Sequence, residues 1–128
     1  MKTVEHLNAI IQDEIASVKT LLSEIDEVMP CRNEMSQPDL DLVKIKNMCL
    51  MIEAHDDEIA RLRRLICFVE STSEMGIQMM LDQLSDRYRR IISSASKYDS
   101  AEMRKEYLAN AGMQLIRSQI DELEFLLK

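Results

Sequence analysis

The stretch MIEAHDDEIARL, residues 51–62, brings a histidine and several carboxylates close together in the chain. Side chains of these types can bind a metal ion or exchange protons with a substrate, and here they are His55 with Glu53, Asp56, Asp57 and Glu58. Di-iron helical bundles carry a Glu-x-x-His motif on each of two helices, whereas Glu53 precedes His55 by two residues and the only other histidine is His6. A zinc site needs three or four converging ligands, and no pair of cysteines has ligand spacing. We therefore predict that the protein is not an enzyme and has no metal site, cofactor or catalytic residue.

Helix geometry also separates these groups in space. Successive residues of an α-helix project about 100° apart, so Asp56 and Asp57 leave the face that carries His55. His55 falls instead on an apolar stripe with Ile52 and Ile59, at spacings of three and four. A polar residue in an apolar seam specifies helix register or partner, at a cost in stability. We predict that His55 is a buried polar residue of the seam with this role, and the sequence leaves open whether its protonation makes assembly sensitive to pH.

The acids that follow His55 have candidate partners in a later arginine cluster. If the second and third helices form a hairpin that turns near residue 73, residues equally far before and after this point lie opposite each other. The predicted charge register then places Asp56, Asp57 and Glu58 opposite Arg87, Arg89 and Arg90. Each surface pair contributes only ~0.5 kcal/mol to stability. We therefore predict that the charge pairs together select the register between the two helices.

The clusters RLRR, residues 61–64, and RYRR, residues 87–90, are also candidate contacts for nucleic acid, with Tyr88 available to stack on a base. The flanking carboxylates and the net charge of −7, from 16 basic and 23 acidic residues, oppose such binding. We therefore predict protein partners in preference to nucleic acid or an anionic membrane.

Several other functions lack their sequence signatures. With two glycines the chain has no Gly-rich phosphate loop, and no serine lies in a Gly-x-Ser-x-Gly motif, so we infer no small-molecule substrate. No apolar run approaches the ~18 residues of a membrane span, and no apolar signal-peptide core follows the first residues. Cys31, Cys49 and Cys67 are an odd number, which fits reduced thiols. We expect an intracellular protein, cytoplasmic or nuclear, that is not secreted.

The elements that hold these residues are helices, because apolar residues repeat every three or four positions through most of the chain. Pro30 ends the first stripe, and the second helix is unusually long, roughly 50 Å. Ser71 and Asp99 are the predicted caps of the third and fourth helices. The predicted helices are at about 4–29, 37–70, 74–98 and 100–127.

These helices predict an all-α fold, an antiparallel bundle of four amphipathic helices with coiled-coil-like packing and one domain over residues 1–128. Apolar stripes of this width exceed what one small bundle buries, so we predict a homo-oligomer or a hetero-complex. Methionine adapts to irregular partner surfaces. The residues predicted to contact a protein partner are Val4, Leu7, Ile11, Val18, Met75 and Met79.

Three stretches between about residues 38 and 117 follow one another in a characteristic order: PDLDLVKIKNMCLMIEAHDDEIARL, QLSDRYRRIISSASKY and SAEMRKEYLANAGMQLI. In this order of features the chain resembles the helical domain of the GINS subunits of the eukaryotic replicative helicase, where an arginine-rich helix is followed by a further packed helix. The resemblance implies a scaffold in a complex and no catalysis.

The residues and the resemblance predict a non-catalytic helical protein that binds other proteins or serves as a scaffold subunit. It would act as a homo-oligomer or as part of a larger complex. Two alternatives remain open. One is a subunit of a nucleic-acid-associated complex that contacts phosphate through the arginine clusters. The other is a helical-bundle enzyme with a carboxylate and histidine metal site.

Overall fold

The computed structural model describes the backbone of residues 1–28 and 38–128, and the side chains of residues 1–28 and 42–128. All regular secondary structure in these ranges is α-helical, which confirms the predicted all-α class. The described ranges contain α1 (Val4–Val28), α2 (Pro38–Ser71), α3 (Glu74–Ala95), α4 (Ala101–Asn110) and α5 (Met113–Leu127). The predicted helix ends at residues 29 and 37, and Cys31, lie outside the described residues.

The chain divides into two compact units. The two-helix unit comprises Thr3–Glu70 and holds α1 and nearly all of α2. The three-helix unit comprises Met1–Lys2 and Ser71–Lys128 and holds α3, α4 and α5. The predicted single domain over residues 1–128 stays a prediction.

In the two-helix unit, each helix buries one apolar stripe. The buried residues are Leu7, Ile11 and Leu21 on α1 and Met48, Ile59, Leu62 and Leu65 on α2. Their spacings are three or four residues, or close to a whole number of helical turns, which places the buried residues of each helix on one face. α2 has 34 residues, so it spans about 50 Å and is the unusually long second helix that the sequence predicts.

In the three-helix unit, α3 packs mainly against α5, and α4 contacts both. The core side chains come from α3 and α5: Ile77, Ala95, Met113, Ile116, Leu123 and Leu126. α4 contributes no buried residue. The start of the chain joins this unit, because the Lys2 backbone N–H donates to the Leu126 carbonyl at 2.6 Å and the Lys2 ammonium lies 4.5 Å from the Phe125 ring centroid.

Serine residues cap the N-termini of both α3 and α4. Ser73 accepts a hydrogen bond from the Gly76 N–H at 3.0 Å, and Ser100 accepts one from the Met103 N–H at 3.4 Å. The predicted caps Ser71 and Asp99 are therefore wrong, by two residues and one residue. Several neighbouring residues have suitable side chains, and only the backbone conformation decides which one caps the helix.

The predicted fourth helix, residues 100–127, is interrupted at Ala111 and Gly112, where α4 ends and α5 begins. Gly112 has a φ of 71°, in the left-handed region that residues with a side chain seldom adopt. The prediction of one continuous helix is wrong here because this glycine ends one helix and begins the next. α3 likewise ends at Ala95, three residues before the predicted end.

Candidate functional site

His55 pairs with Glu14 of α1 inside the two-helix unit. His55 Nδ1 and Glu14 Oε2 lie within hydrogen-bonding distance, and the two side chains remain 29% and 24% exposed. His55 is therefore half-buried with a polar partner. Glu14 precedes it by 41 residues, so the sequence around His55 carried no signal for this partner.

The pair lies midway between buried apolar residues on both helices. The four residues seven positions to either side of the pair are all buried: Leu7 and Leu21 on α1, and Met48 and Leu62 on α2. Residues seven apart share one helix face in a coiled-coil seam. Glu14 and His55 therefore each occupy the middle of an otherwise apolar stripe, one on α1 and the other on α2.

Glu58 is bound by an arginine of its own helix. Arg61 donates from Nε and Nη2 to the Glu58 carboxylate at 3.0 and 2.7 Å. The hydrogen bond from Arg61 lowers the pKa of the Glu58 carboxyl, and of two smaller effects partial burial raises this pKa while the Arg61 charge lowers it. No three His, Cys, Asp or Glu side chains in the described part of the chain group together as ligands for a metal ion.

The arginines of the predicted charge register, Arg87, Arg89 and Arg90, are exposed on α3. Arg89 Nη1 lies 3.7 Å from Asp86 Oδ1, and the Arg90 Nε donates to the Asp86 carbonyl at 3.5 Å. These contacts are within one helix. The register with residues 56–58 joins the two units, so it stays a prediction.

An open groove of about 370 Å³ lies between α3 and α5. Its lining mixes both charges with apolar surface: Ser85, Tyr88, Arg89, Arg117, Ile120 and Asp121. Tyr88 is half-buried in this lining. Its ring is therefore partly covered, which reduces the stacking surface on which the nucleic-acid alternative depends.

Apolar side chains of α2 are also exposed, on a different side of the helix from its buried stripe. Leu50 is 53% exposed and Val43 is 57% exposed. Leu50 follows the buried Met48 by two residues, which turns the two side chains about 200° apart around the helix. We call the exposed set the α2 face, and it consists of Val43, Asn47, Leu50 and Ala54.

α3 shows the same division between a buried and an exposed side at its beginning. Met75 is 74% exposed and Met79 is 57% exposed, while Ile77, between them in sequence, is fully buried. Met75 and Met79 are four residues apart, so they lie on one side of the helix. We call these two residues the α3 methionine face.

The residues predicted to contact a partner differ in their accessibility. Leu7 and Ile11 are buried in the core of the chain itself, whereas Val4 and Val18 are half-buried. Met75 and Met79 are exposed, and their contact with a partner stays a prediction. The α2 face was not among the predicted contacts, although its four residues follow one another at intervals of four, three and four.

Comparison with known proteins assigns no family, because no protein-family model, no curated protein and no solved structure matches this chain. Among the described residues, no helix is both long enough and apolar enough to cross a membrane. The exposed faces of α2 and α3 are therefore the features on which a functional proposal rests.

Proposed function

We propose that the protein is a non-catalytic interaction subunit that binds other proteins through the α2 face and the α3 methionine face. It acts as a homo-oligomer or as a scaffold in a larger complex. The observation that carries this proposal is that the two faces hold large apolar side chains that are each more than half exposed: Val43, Leu50, Met75 and Met79. Burying such surface contributes roughly 25 cal/mol per Å², and grouped exposed apolar residues are typical of protein contact sites.

A different side of the helix that carries the α2 face is held by contacts within the two-helix unit. Met48, Ile59 and Leu62 are buried along that side, and His55 is tied to Glu14 of α1. A surface on a rigid helix loses little conformational freedom when it binds, so more of the contact energy remains as affinity.

We also propose that α1 and α2 pack antiparallel with coiled-coil-like contacts, as part of an antiparallel four-helix bundle in which α4 and α5 together form the fourth, interrupted member. The heptad pattern around His55 and Glu14 supports this arrangement. In antiparallel helices, residues at equal distances in opposite directions from a contact meet each other. Leu7 would then lie against Leu62, and Leu21 against Met48.

Two further features support an intracellular scaffold. Cys49 and Cys67 are exposed free thiols, and thiols of this kind persist in a reducing compartment. The resemblance of residues 38–117 to the helical domain of GINS subunits also points to a scaffold within a complex.

The experiment that tests the proposal measures the size of the particle that holds the protein in extracts of its native cells. The wild type is compared with Leu50→Glu and with Met75→Glu/Met79→Glu, which charge exposed positions and should leave the helix content unchanged. Loss of either contact should move the protein to a smaller particle. Gln119→Glu, on an exposed position of α5, is the matched control. A wild type that runs as a single chain would contradict the proposal.

A further inference from the structure

We propose that the α2 face binds a second copy of this chain, with the two α2 helices antiparallel about a twofold axis between Met48 and Cys49. This inference rests on the proposed function and names the partner of one of its two surfaces. The charges that flank the α2 face and the spacing of the residues within it favour this pairing.

The segment that carries the α2 face has opposite charges at its two ends. Lys44 and Lys46 are exposed at the beginning, and Glu53, Asp56 and Asp57 are exposed at the end. None of the five takes part in an ion pair with another described residue of the chain. Among the described residues, both charged ends therefore lack a partner of opposite charge.

A segment with opposite charges at its two ends can pair with a second copy of itself only when the two copies run antiparallel. Lys44 and Lys46 of each helix then lie beside Glu53 of the other helix, and the twofold axis makes this contact at both ends of the pair. Two parallel copies in register would place lysine beside lysine and carboxylate beside carboxylate, which is repulsive. Charges that flank an apolar seam select partner and orientation in paired helices, so they favour the antiparallel pair.

The α2 face has the spacing of a helix-pairing seam. Its four residues follow one another at intervals of four, three and four, which is the alternation of the two apolar positions of a heptad. With the axis between Met48 and Cys49, Val43 meets Ala54 of the second copy, and Leu50 meets Asn47 of the second copy. This contact is isologous, so it closes on itself as a dimer.

The edges of the seam carry the charges in matching places. Lys46 and Glu53 are seven residues apart, so they lie on the same edge of the seam. In the antiparallel pair this edge of one helix runs along the same edge of the other. Each Lys46 therefore lies beside Glu53 of the second copy, and the twofold axis makes this contact twice.

The seam is short and contains one polar residue, which limits its affinity. From residue 43 to residue 54 it covers 12 residues, about 18 Å of helix. Asn47 replaces an apolar residue in the seam, a change that lowers stability in paired helices and narrows the choice of register. We therefore expect a reversible dimer whose population rises with concentration.

The experiment measures the mass of the purified full chain by sedimentation equilibrium over a concentration series. The wild type should reach twice the chain mass of 14.9 kDa. Lys44→Glu/Lys46→Glu should weaken the dimer at least ~10-fold, because attraction at both ends becomes repulsion. Adding Glu53→Lys and Asp57→Lys to that variant restores the net charge and reverses four of the five flanking charges, Glu53 included, so the fourfold variant should recover the wild-type dimer.

A matched control separates local pairing from net charge. Arg63→Glu/Arg64→Glu changes two exposed basic residues of the same helix beyond the α2 face, and it alters the net charge by the same amount as Lys44→Glu/Lys46→Glu. This control should dimerise like the wild type. Circular dichroism of each variant should show unchanged helix content.

Three results would overturn the inference: a wild type that stays at 14.9 kDa, a dimer that Lys44→Glu/Lys46→Glu leaves unchanged, or a fourfold variant that does not recover. An unchanged dimer would indicate another surface or a parallel pair, in which one repulsion merely replaces another. If the purified wild type is a monomer but runs in a larger particle in native extracts, the second copy is excluded and the proposed function stands. If the protein has the mass of a single chain in both assays, the second copy and the proposed function are both excluded.

Discussion

At the scale of single residues, the pair of His55 and Glu14 is a polar contact between two apolar stripes of the two-helix unit. Removing one member of such a pair leaves the other partly buried without a partner, whereas replacing both with apolar residues removes the desolvation penalty. The two kinds of substitution should therefore have different effects on stability.

Glu14→Leu should lower the free energy of unfolding by about 1–3 kcal/mol, toward the lower end because both side chains are partly exposed. Glu14→Leu/His55→Leu should regain most of this loss. Urea unfolding followed by circular dichroism measures both. A double variant as unstable as the single variant would show that the two side chains are not coupled.

The Glu58 and Arg61 pair predicts a specific pH dependence. Because the hydrogen bond from Arg61 lowers the pKa of Glu58 below its ordinary value of 4.5, the contribution of the pair is present above the unfolded pKa. It is lost as pH falls through the lower folded pKa. Arg61→Ala should return the pKa of Glu58 toward its ordinary value and cost less than ~0.5 kcal/mol at neutral pH, since the pair is substantially exposed. NMR titration of the Glu58 carboxyl carbon measures the shift, and an unchanged pKa would refute this account.

Features set by neighbouring residues of one helix were predictable from the sequence, whereas contacts between residues far apart in the chain were not. The stripe of Ile52 and Ile59 placed His55 on the inward side, because residues three and four apart share a helix face. The partner Glu14 was not predictable, since it lies on another helix. The α2 face was missed because Lys44 and Lys46 interleave with its apolar residues and make that side look like an ordinary solvated surface.

At the scale of elements, the apolar periodicity predicts where α1 and α3 begin but does not predict the break between α4 and α5 or the residue that caps α3. Predicted starts at residues 4 and 74 agree with α1 and α3 because the apolar stripes begin there. The break between α4 and α5 depends on the conformation of Gly112, and a single glycine in an amphipathic pattern reads equally well as a tolerated helix residue. Likewise, Ser71, Thr72 and Ser73 are all suitable caps by composition, and only the backbone selects Ser73.

Gly112→Ala should destabilise the chain by about 1–2 kcal/mol, the cost of a side chain in the left-handed conformation. Steric clash is not the cause, because no atom lies within 4 Å of the added Cβ. Gly112→Asn should cost less, since asparagine tolerates this region. Urea unfolding of the three proteins measures the difference. Equal stability of the glycine and alanine proteins would mean that the junction does not require this conformation.

At the scale of the whole molecule, two units each bury a core and leave apolar side chains of α2 and α3 exposed. The net charge of −7 keeps separate molecules apart at long range, but charges are screened beyond about 8 Å at physiological ionic strength. Local complementarity, not total charge, then decides which surfaces meet. The all-α class follows from composition and periodicity, whereas the choice of contact surface required the exposure of each side chain in the fold.

The central claim, that this protein works in contact with another polypeptide, is tested most directly by the mass of its native particle. Extracts of the native cells are separated by size under non-denaturing conditions, and the fraction that contains the chain is identified. We expect a particle of at least twice 14.9 kDa, reduced by Leu50→Glu or by Met75→Glu/Met79→Glu. A wild-type particle with the mass of one chain would contradict the account.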